Sequence, residues 1–275
     1  GKKLVSGLSF VMAFVLILTQ IPNISVMAFE KNAKIGNADI KSEDLSEYFD
    51  GFGGSFVLYD MNNESYTVYN EKESIKRTSP DSTYKIFSAL AALESGIITP
   101  EGNTLKWDGT ENQFDEWNKD QNLSSAMKNS VNWYFQQLDS KNFKELYELF
   151  NTIGYGNCDF SGGKDFWMES SLKISPIEQT QALKSLYCNE YGFDEKNVEA
   201  VKDTIKIDKG FYGKTGTGMI NGKEINGWFV GFVEQTDNVY FFTTNINGYD
   251  NALGSTAADI TIEILGDRGI INYED

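Results

Sequence analysis

The chain has strand-like hydrophobic patterns near both ends and helical patterns between them. Residues 54–70, GSFVLYDMNNESYTVYN, form two β-rich runs around the turn MNNE, which predicts a hairpin. Three further strand-like runs, separated by turns that contain Gly and Asp, occupy residues 210–247. Residues 86–200 are mainly helical in pattern, and residues 253–269 predict an amphipathic closing helix that ends at Gly269.

This order of elements predicts an α+β fold. Its sheet is antiparallel and formed by the N- and C-terminal parts of the chain, and it is flanked by helices with a mainly helical insert. We expect the domain to cover residues 53–275, with its helical part at about 86–200. Residues 29–52 are polar and charged, which predicts a linker or a loose helix.

The first 28 residues have the layout of a secretory signal peptide. A short basic start and the 16-residue apolar run 4–19 precede SVMA, in which Val26 and Ala28 occupy the small-residue positions of a cleavage site. The protein is therefore expected to be exported, either secreted or associated with the cell surface. An uncleaved membrane anchor is the alternative, and the membrane is a partner only if this segment is retained.

The amino-acid composition limits the kinds of catalysis and the partners that are open to this chain. The chain contains no histidine, which excludes Ser-His-Asp and Cys-His catalysis and leaves acid–base work to carboxylates, lysine, tyrosine or a modified residue. The net charge of −16 disfavours nucleic acid as a partner. The two cysteines, Cys158 and Cys188, either pair or remain thiols, and the sequence does not decide between these.

Ser82 and Lys85 form the first constellation that could carry chemistry. Pro80 and Asp81 precede them as turn and cap, and a strongly apolar helix follows. Residues three apart on a helix share a face, and burial would lower the pKa of the lysine. The alternative is a capping serine with a surface lysine. Three other pairs have the same spacing and are expected to be coincidental: Ser125–Lys128, Ser161–Lys164 and Ser170–Lys173.

Two further constellations follow along the chain. Ser130 and Asn132 precede an aromatic run, which an ordinary amphipathic helix would also explain. Lys214, Thr215 and Gly216 lie on a predicted strand among glycines that allow close backbone approach, so they could bind a carboxylate. A glycine-bearing edge strand is the alternative.

The three constellations in this order resemble the serine penicillin-recognising proteins. The stretches STYK, WDGTENQFDEWNKDQNLSSAMKNS, YGN, FW and GKTGTG…GWFVGFVE are similar to class D (oxacillinase-type) β-lactamases. They are equally similar to the β-lactam sensor domains of antibiotic-responsive membrane receptors. The resemblance covers roughly residues 50–270, and it implies a β-lactamase/transpeptidase-like fold and small β-lactam molecules as partners.

The resemblance also implies residue roles. Ser82 would be the nucleophile and Lys85, carrying a CO2-derived carbamate, the general base, with no other cofactor and no metal. Trp167 would donate its indole N–H to the carbamate, and Ser130 would relay a proton to the lactam nitrogen. The amides of Ser82 and Thr217 would form the oxyanion hole. Substrate binding is assigned to Lys214, Thr215, Gly216, Thr217 and Asn132, and one wall of the site to Tyr155, Gly156 and Asn157.

Two departures bear on the activity. Most class D enzymes have Val at the position of Asn132, where the sensors have Asn, and residues 245–260 lack the arginine that many class D enzymes use for the substrate carboxylate. We nevertheless expect a secreted class D enzyme that hydrolyses β-lactams, because a receptor needs several membrane helices and the sequence has one apolar segment. A sensor that acylates without deacylation is the alternative, and a cell-wall D,D-peptidase is a third candidate.

Overall fold

The computed structural model describes residues 39–272, which form one sheet with helices packed on both faces. The strands in these residues are β1 (Asp39–Ser42), β2 (Gly53–Asp60), β3 (Ser65–Tyr69), β4 (Lys206–Asp208), β5 (Phe211–Ile220), β6 (Lys223–Glu234) and β7 (Val239–Asn247). The α-helices are α1 (Glu71–Ser74), α2 (Lys85–Glu94), α3 (Leu123–Lys128), α4 (Asn132–Lys141), α5 (Phe143–Ile153), α6 (Pro176–Tyr187), α7 (Glu195–Thr204) and α8 (Gly254–Asp267). Short 3-10 helices lie at Ser46–Phe49, Asp81–Tyr84, Asp115–Trp117 and Gly163–Asp165.

The sheet joins the two ends of the described chain. Its strand order is β1-β3-β2-β7-β6-β5-β4, so that β2 from the N-terminal part pairs antiparallel with β7 from the C-terminal part. The α+β fold and its helical insert are thereby confirmed. The sheet is mixed rather than purely antiparallel, because β1 pairs parallel with β3.

Alternation along the central strands builds a core on each face. On β6, Trp228, Val230 and Phe232 pack in the cluster beneath the helical insert, whereas Phe229 and Val233 pack in the cluster beneath α8. Successive strand side chains point to opposite faces, so one strand serves both cores. Burial on both faces explains why β6 contains the nearly unbroken hydrophobic run WFVGFV.

The stretch before the first hairpin differs from its prediction. The sequence predicts a linker or loose helix at 29–52, but residues 39–52 contribute β1 and a 3-10 helix to the packed structure. Leu45 and Phe49 are buried in the cluster beneath α8. The few apolar side chains in this polar segment follow no recognisable period, so the pattern alone did not reveal this packing.

Helix α2 is the centre of the insert and carries the residues that matter most below. All its residues from Lys85 to Leu93 are buried, as expected for a helix that is apolar on every side. The closing helix α8 is also confirmed, and Gly269 follows it at a φ of +66°, a conformation that glycine adopts readily.

The remaining sequence predictions concern the N-terminus and the cysteines. The signal segment predicted at 1–28 lies outside the described residues. Among the helices that are described, none has both the length and the apolar character needed to cross a membrane. Cys158 and Cys188 are both free thiols.

Candidate active site

Ser82 lies on a tight turn that leads directly into α2. Its Oγ is 2.8 Å from Lys85 Nζ, so the predicted pair is formed. Strand β5 lies against this turn at Gly216, where an added Cβ would approach Ser82 N to 3.2 Å and Pro80 O to 3.1 Å. A side chain at this position would crowd the turn, which explains why glycine occupies it. Asp81, predicted as a helix cap, makes no capping bond and points elsewhere.

Lys85 is enclosed by aromatic and amide groups. Its Nζ donates to Asn132 Oδ1 at 2.8 Å and lies over the Trp167 ring, 4.1 Å from the ring centroid. Burial, reinforced by the charge of Lys214, holds the pKa of Lys85 well below its usual range. The amine therefore favours its neutral form, which still donates to Asn132 Oδ1 and Ser82 Oγ and has a lone pair that can take the proton of the Ser82 hydroxyl.

Asn132 has one orientation that satisfies both ends of its amide. Its Oδ1 accepts from Lys85, and its Nδ2 donates to Met168 Sδ at 3.3 Å. A thioether is only a weak acceptor and has no proton to give, so the amide nitrogen belongs on that side. The sequence had left this orientation open, and nothing in the pattern marked Met168 as a neighbour.

Ser130 and Lys214 form a second serine–lysine pair beside the first. Lys214 Nζ donates to Ser130 Oγ at 2.5 Å and to Thr215 O at 2.8 Å. Ser130 has a left-handed φ of +49° in the tight turn between α3 and α4. Burial lowers the pKa of Lys214 to about 7, so this lysine exchanges its proton readily near neutral pH.

The end of β5 connects this pair to the start of α8. Thr217 Oγ1 accepts from Gly254 N at 2.9 Å, and an added Cβ on Gly254 would come within 2.7 Å of Gly216 O. Thr215 is half-buried beside them. Close packing of backbone on backbone thus fixes this strand relative to the Ser82 turn, while the predicted roles of the Ser82 and Thr217 amides remain predictions.

Trp167 has an unusual hydrogen-bonding state. Its ring is buried and stacks on Tyr84, with 4.9 Å between centroids and 13° between planes. Its indole Nε1 is buried and has no hydrogen-bond partner. Tyr84 is in turn anchored by donating to Asp139. Buried donors are normally paired, so the Nε1 atom is available to a group not present among the side chains around it.

The predicted wall of the site has a structural role. Tyr155 is buried against Phe150, and an added Cβ on Gly156 would lie 1.9 Å from Lys173 O. Asn157 donates from its side chain to Ser171 O at 2.9 Å. These contacts brace the segment that follows Trp167, and the role of the three residues as a wall of the site stays a prediction.

The three other Ser-x-x-Lys pairs do not form sites. Ser125 belongs to the capping box that starts α3, and its partner Lys128 is exposed, as is Lys164. Lys173 Nζ donates to Ser79 Oγ at 3.0 Å rather than to Ser170. Four Ser-x-x-Lys pairs therefore have the right spacing. Only Ser82 and Lys85 combine direct contact with a buried lysine, so among the four this pair can act as nucleophile and base.

This geometry matches a known family. Residues 54–266 match the penicillin-binding protein transpeptidase domain. The chain belongs to that family of penicillin-recognising serine proteins. Regulatory protein BlaR1 of Bacillus licheniformis is 45% identical over 96% of this chain and 45% of its own length. The methicillin resistance mecR1 protein of Staphylococcus aureus is 41% identical over 96% of this chain and 46% of its own length.

Solved structures and an enzyme relative agree with this assignment. The C-terminal domain of the Bacillus licheniformis BlaR penicillin-receptor superimposes with a TM-score of 0.83 at 47% identity, covering 86% of this chain and 100% of that structure. The probable β-lactamase YbxI of Bacillus subtilis is 36% identical over 89% of this chain and 90% of its own length. This chain thus spans about half the length of the regulatory relatives, so its length does not separate a receptor domain from an enzyme.

Proposed function

We propose that this domain is a β-lactam sensor in which Ser82 is acylated and the adduct persists. The observation that carries the proposal is the hydrogen bond from Lys85 Nζ to Asn132 Oδ1 at 2.8 Å. It replaces our initial preference for a hydrolytic enzyme. Two relatives, a penicillin receptor and a regulatory protein, support a sensor at the cell surface.

Acylation uses the groups around the two serines. Ser82 Oγ attacks the lactam carbonyl carbon, and its proton passes to Lys85, whose neutral amine lies 2.8 Å away. The C–N bond then breaks, and the nitrogen takes a proton delivered through Ser130 from Lys214. Lys214, with a pKa of about 7, supplies that proton near neutral pH, and its protonated form would also attract the substrate carboxylate.

The adduct persists because Asn132 disfavours a base on Lys85. Hydrolysis requires a group that removes a proton from water, and a carbamate would be that group. The Asn132 carbonyl oxygen stabilises an N–H donor, whereas it would repel the anionic oxygens of a carbamate. After acylation Lys85 carries the proton from Ser82 and keeps its bond to Asn132, so water is not activated.

Hydrolysis of β-lactams is the second candidate function. The orphaned Nε1 of Trp167 favours it, because that donor would fit the anionic carbamate that class D enzymes form on the corresponding lysine. In that case Lys85 would carry the carbamate and act as base in both acylation and deacylation. The similarity to the probable β-lactamase of Bacillus subtilis supports the same candidate.

Adduct lifetime tests the proposal. The protein is labelled with a fluorescent penicillin in bicarbonate buffer, chased with unlabelled drug, and followed by mass spectrometry. We expect one adduct per chain that persists in the wild type. The Asn132→Val variant removes the amide oxygen and should shorten the lifetime roughly 10-fold or more, as expected when a general base is restored.

The matched control is Gln137→Val on the same helix, a half-buried amide further along α4. It should leave the lifetime at the wild-type value. Multiple turnovers by the wild type in bicarbonate would establish the hydrolytic candidate instead, and an unlabelled wild type would exclude both.

A further inference from the structure

Two carboxyl groups meet immediately behind the nucleophile. Asp81 precedes Ser82 in the chain, and Glu169 lies two residues after Trp167. Asn226 Nδ2 donates to Asp81 Oδ2 at 3.0 Å and to Glu169 Oε1 at 2.7 Å. A Cβ added to Gly218 would contact both of these oxygens, at 2.6 and 2.1 Å. The two carboxyl groups therefore share one small space.

Among the described residues, these two carboxyl groups are not part of any cluster of three or more acidic or cysteine side chains that could hold a metal ion. Asn226 presents its N–H2 group to both oxygens, and its Oδ1 accepts from Asn245, so this amide has no acceptor to offer a metal ion. Asp81 is 2% exposed, and two ionised carboxylates that accept from the same amide nitrogen would repel each other strongly. A shared proton removes this repulsion.

The charged groups around the pair come from three directions. Lys85 acts on Asp81 from the next turn of the helix, but its buried amine favours the neutral form. Lys173, in the segment that carries Glu169, donates to Ser79 Oγ instead. From the cleft on the Asn226 side, the nearby groups are Glu73 and Lys76, which pair with each other at 3.4 Å.

Both acidic residues also have unfavourable backbone conformations. Asp81 has a φ of +47° and Glu169 a φ of +40°, values that are uncommon outside glycine. Such residues persist where surrounding contacts over-determine them, and they concentrate at functional sites. Here the side chains meet at Asn226, the Glu169 backbone donates to the Asp81 carboxyl group, and Asp81 N donates to Trp167 O at 3.0 Å.

We propose that Asp81 holds one proton, which it shares with Glu169 in a hydrogen bond, and that the two residues act as a positioning pair, which joins the Ser82 turn to the Trp167 segment for acylation. The pair lies behind Ser82 and does not touch the substrate. It rests on the proposed function in one respect, that Ser82 is the acylated residue. Losing the proton would drive the carboxylates apart and move Ser82 relative to Lys85 and Trp167.

The titration of Asp81 agrees with this geometry. Burial, followed by the charge of Glu169, raises the pKa of Asp81 well above its ordinary value. The folded state thus holds a proton that the unfolded state releases above a pH of about 4. Stability from the pair is full at low pH and is lost as the pH rises towards the folded pKa.

The Asp81→Asn variant tests the proposal because its amide mimics the protonated acid and does not titrate. Thermal unfolding and the rate of Ser82 acylation are measured from pH 4 to 9 for the wild type and the variant. As the pH rises, the free energy of unfolding of the wild type should fall relative to that of Asp81→Asn. The acylation rate of the wild type should fall at high pH by at least about 2-fold relative to the variant, the low end of coupling between contacting groups.

Infrared spectroscopy without any drug gives an independent measurement. The wild type should show the band of a protonated carboxyl group near neutral pH, and Asp81→Asn and Glu169→Gln should each lose it. Asp139, a second buried carboxyl, contributes equally to all three proteins. If one variant does not fold, the other still decides.

The proposal of a shared proton would be wrong if the wild type and the variants had the same pH dependence of stability and the variants kept the infrared band. A wild type that reacts with no β-lactam would instead refute the sensor assignment, while the stability and infrared results would still decide whether the pair shares its proton.

Discussion

The active site contains two serine–lysine pairs that look alike and are built differently. Lys85 and Ser82 are three residues apart in one turn, whereas Lys214 and Ser130 are separated by 84 positions. Both lysines are buried and have lowered pKa values. For Lys85 the causes are burial and the charge of Lys214, while for Lys214 burial is the cause.

The comparison shows that the position of each lysine and its protonation state have different origins. Helix geometry brings Ser82 and Lys85 together wherever this segment forms a helix, but the contact with Asn132 decides what Lys85 can do afterwards. The Ser130–Lys214 pair exists only because β5 packs beside the turn before α4. Its lysine has a pKa of about 7, so it can hold and release a proton near neutral pH. We therefore assign proton removal to the first pair and proton delivery to the second.

The largest difference between the pairs should appear on removing each serine. Ser82→Ala removes the nucleophile and should abolish covalent labelling by penicillin, as measured by mass spectrometry of the intact protein. Ser130→Ala removes only a proton relay and should still give an adduct, formed more slowly. Labelling that survives in Ser82→Ala would show that another residue is the nucleophile.

Removing each lysine should give a smaller but still unequal effect. Lys85→Ala deletes the base and should lower the second-order acylation rate by about 10²–10⁴-fold. Lys214→Ala deletes the proposed proton donor and a proposed charged hydrogen bond to the substrate carboxylate, worth roughly 1.5–3 kcal/mol, or about 10–100-fold. Stopped-flow measurements with a fluorescent penicillin compare the two, and equal losses would contradict the division of roles.

The smallest expected effect concerns stability and pH. Lys214 has a folded pKa of about 7, whereas an unfolded lysine titrates near about 10.4, so the unfolded state binds more protons between these values. The free energy of unfolding contributed by Lys214 should therefore rise with pH across this range. Lys214→Met should flatten the rise, with a change in Tm on the order of several degrees. Thermal melts from pH 7 to 10 measure it, and parallel curves would show that Lys214 is not desolvated as described.

Much of the fold was predictable from local patterns. The hairpin at 54–70, the strands within 210–247 and the closing helix all follow from alternation, turn residues and glycine positions, and each was confirmed. The strand β1 was missed because it is short and exposed, and its pairing with β3 depends on where the rest of the chain lies. Short-range patterns carry no information about such a partner.

The sequence by itself singled out Ser82 and Lys85 as the predicted reactive pair, since their spacing, the apolar helix after them and the absence of histidine are all local or compositional facts. Only the tertiary structure decided the orientation of Asn132, the pairing of Ser130 with Lys214 and the meeting of Asp81 with Glu169. The physical reason is that an amide orientation or a shared proton depends on atoms supplied by distant segments, and burial by those segments sets the charge of each group.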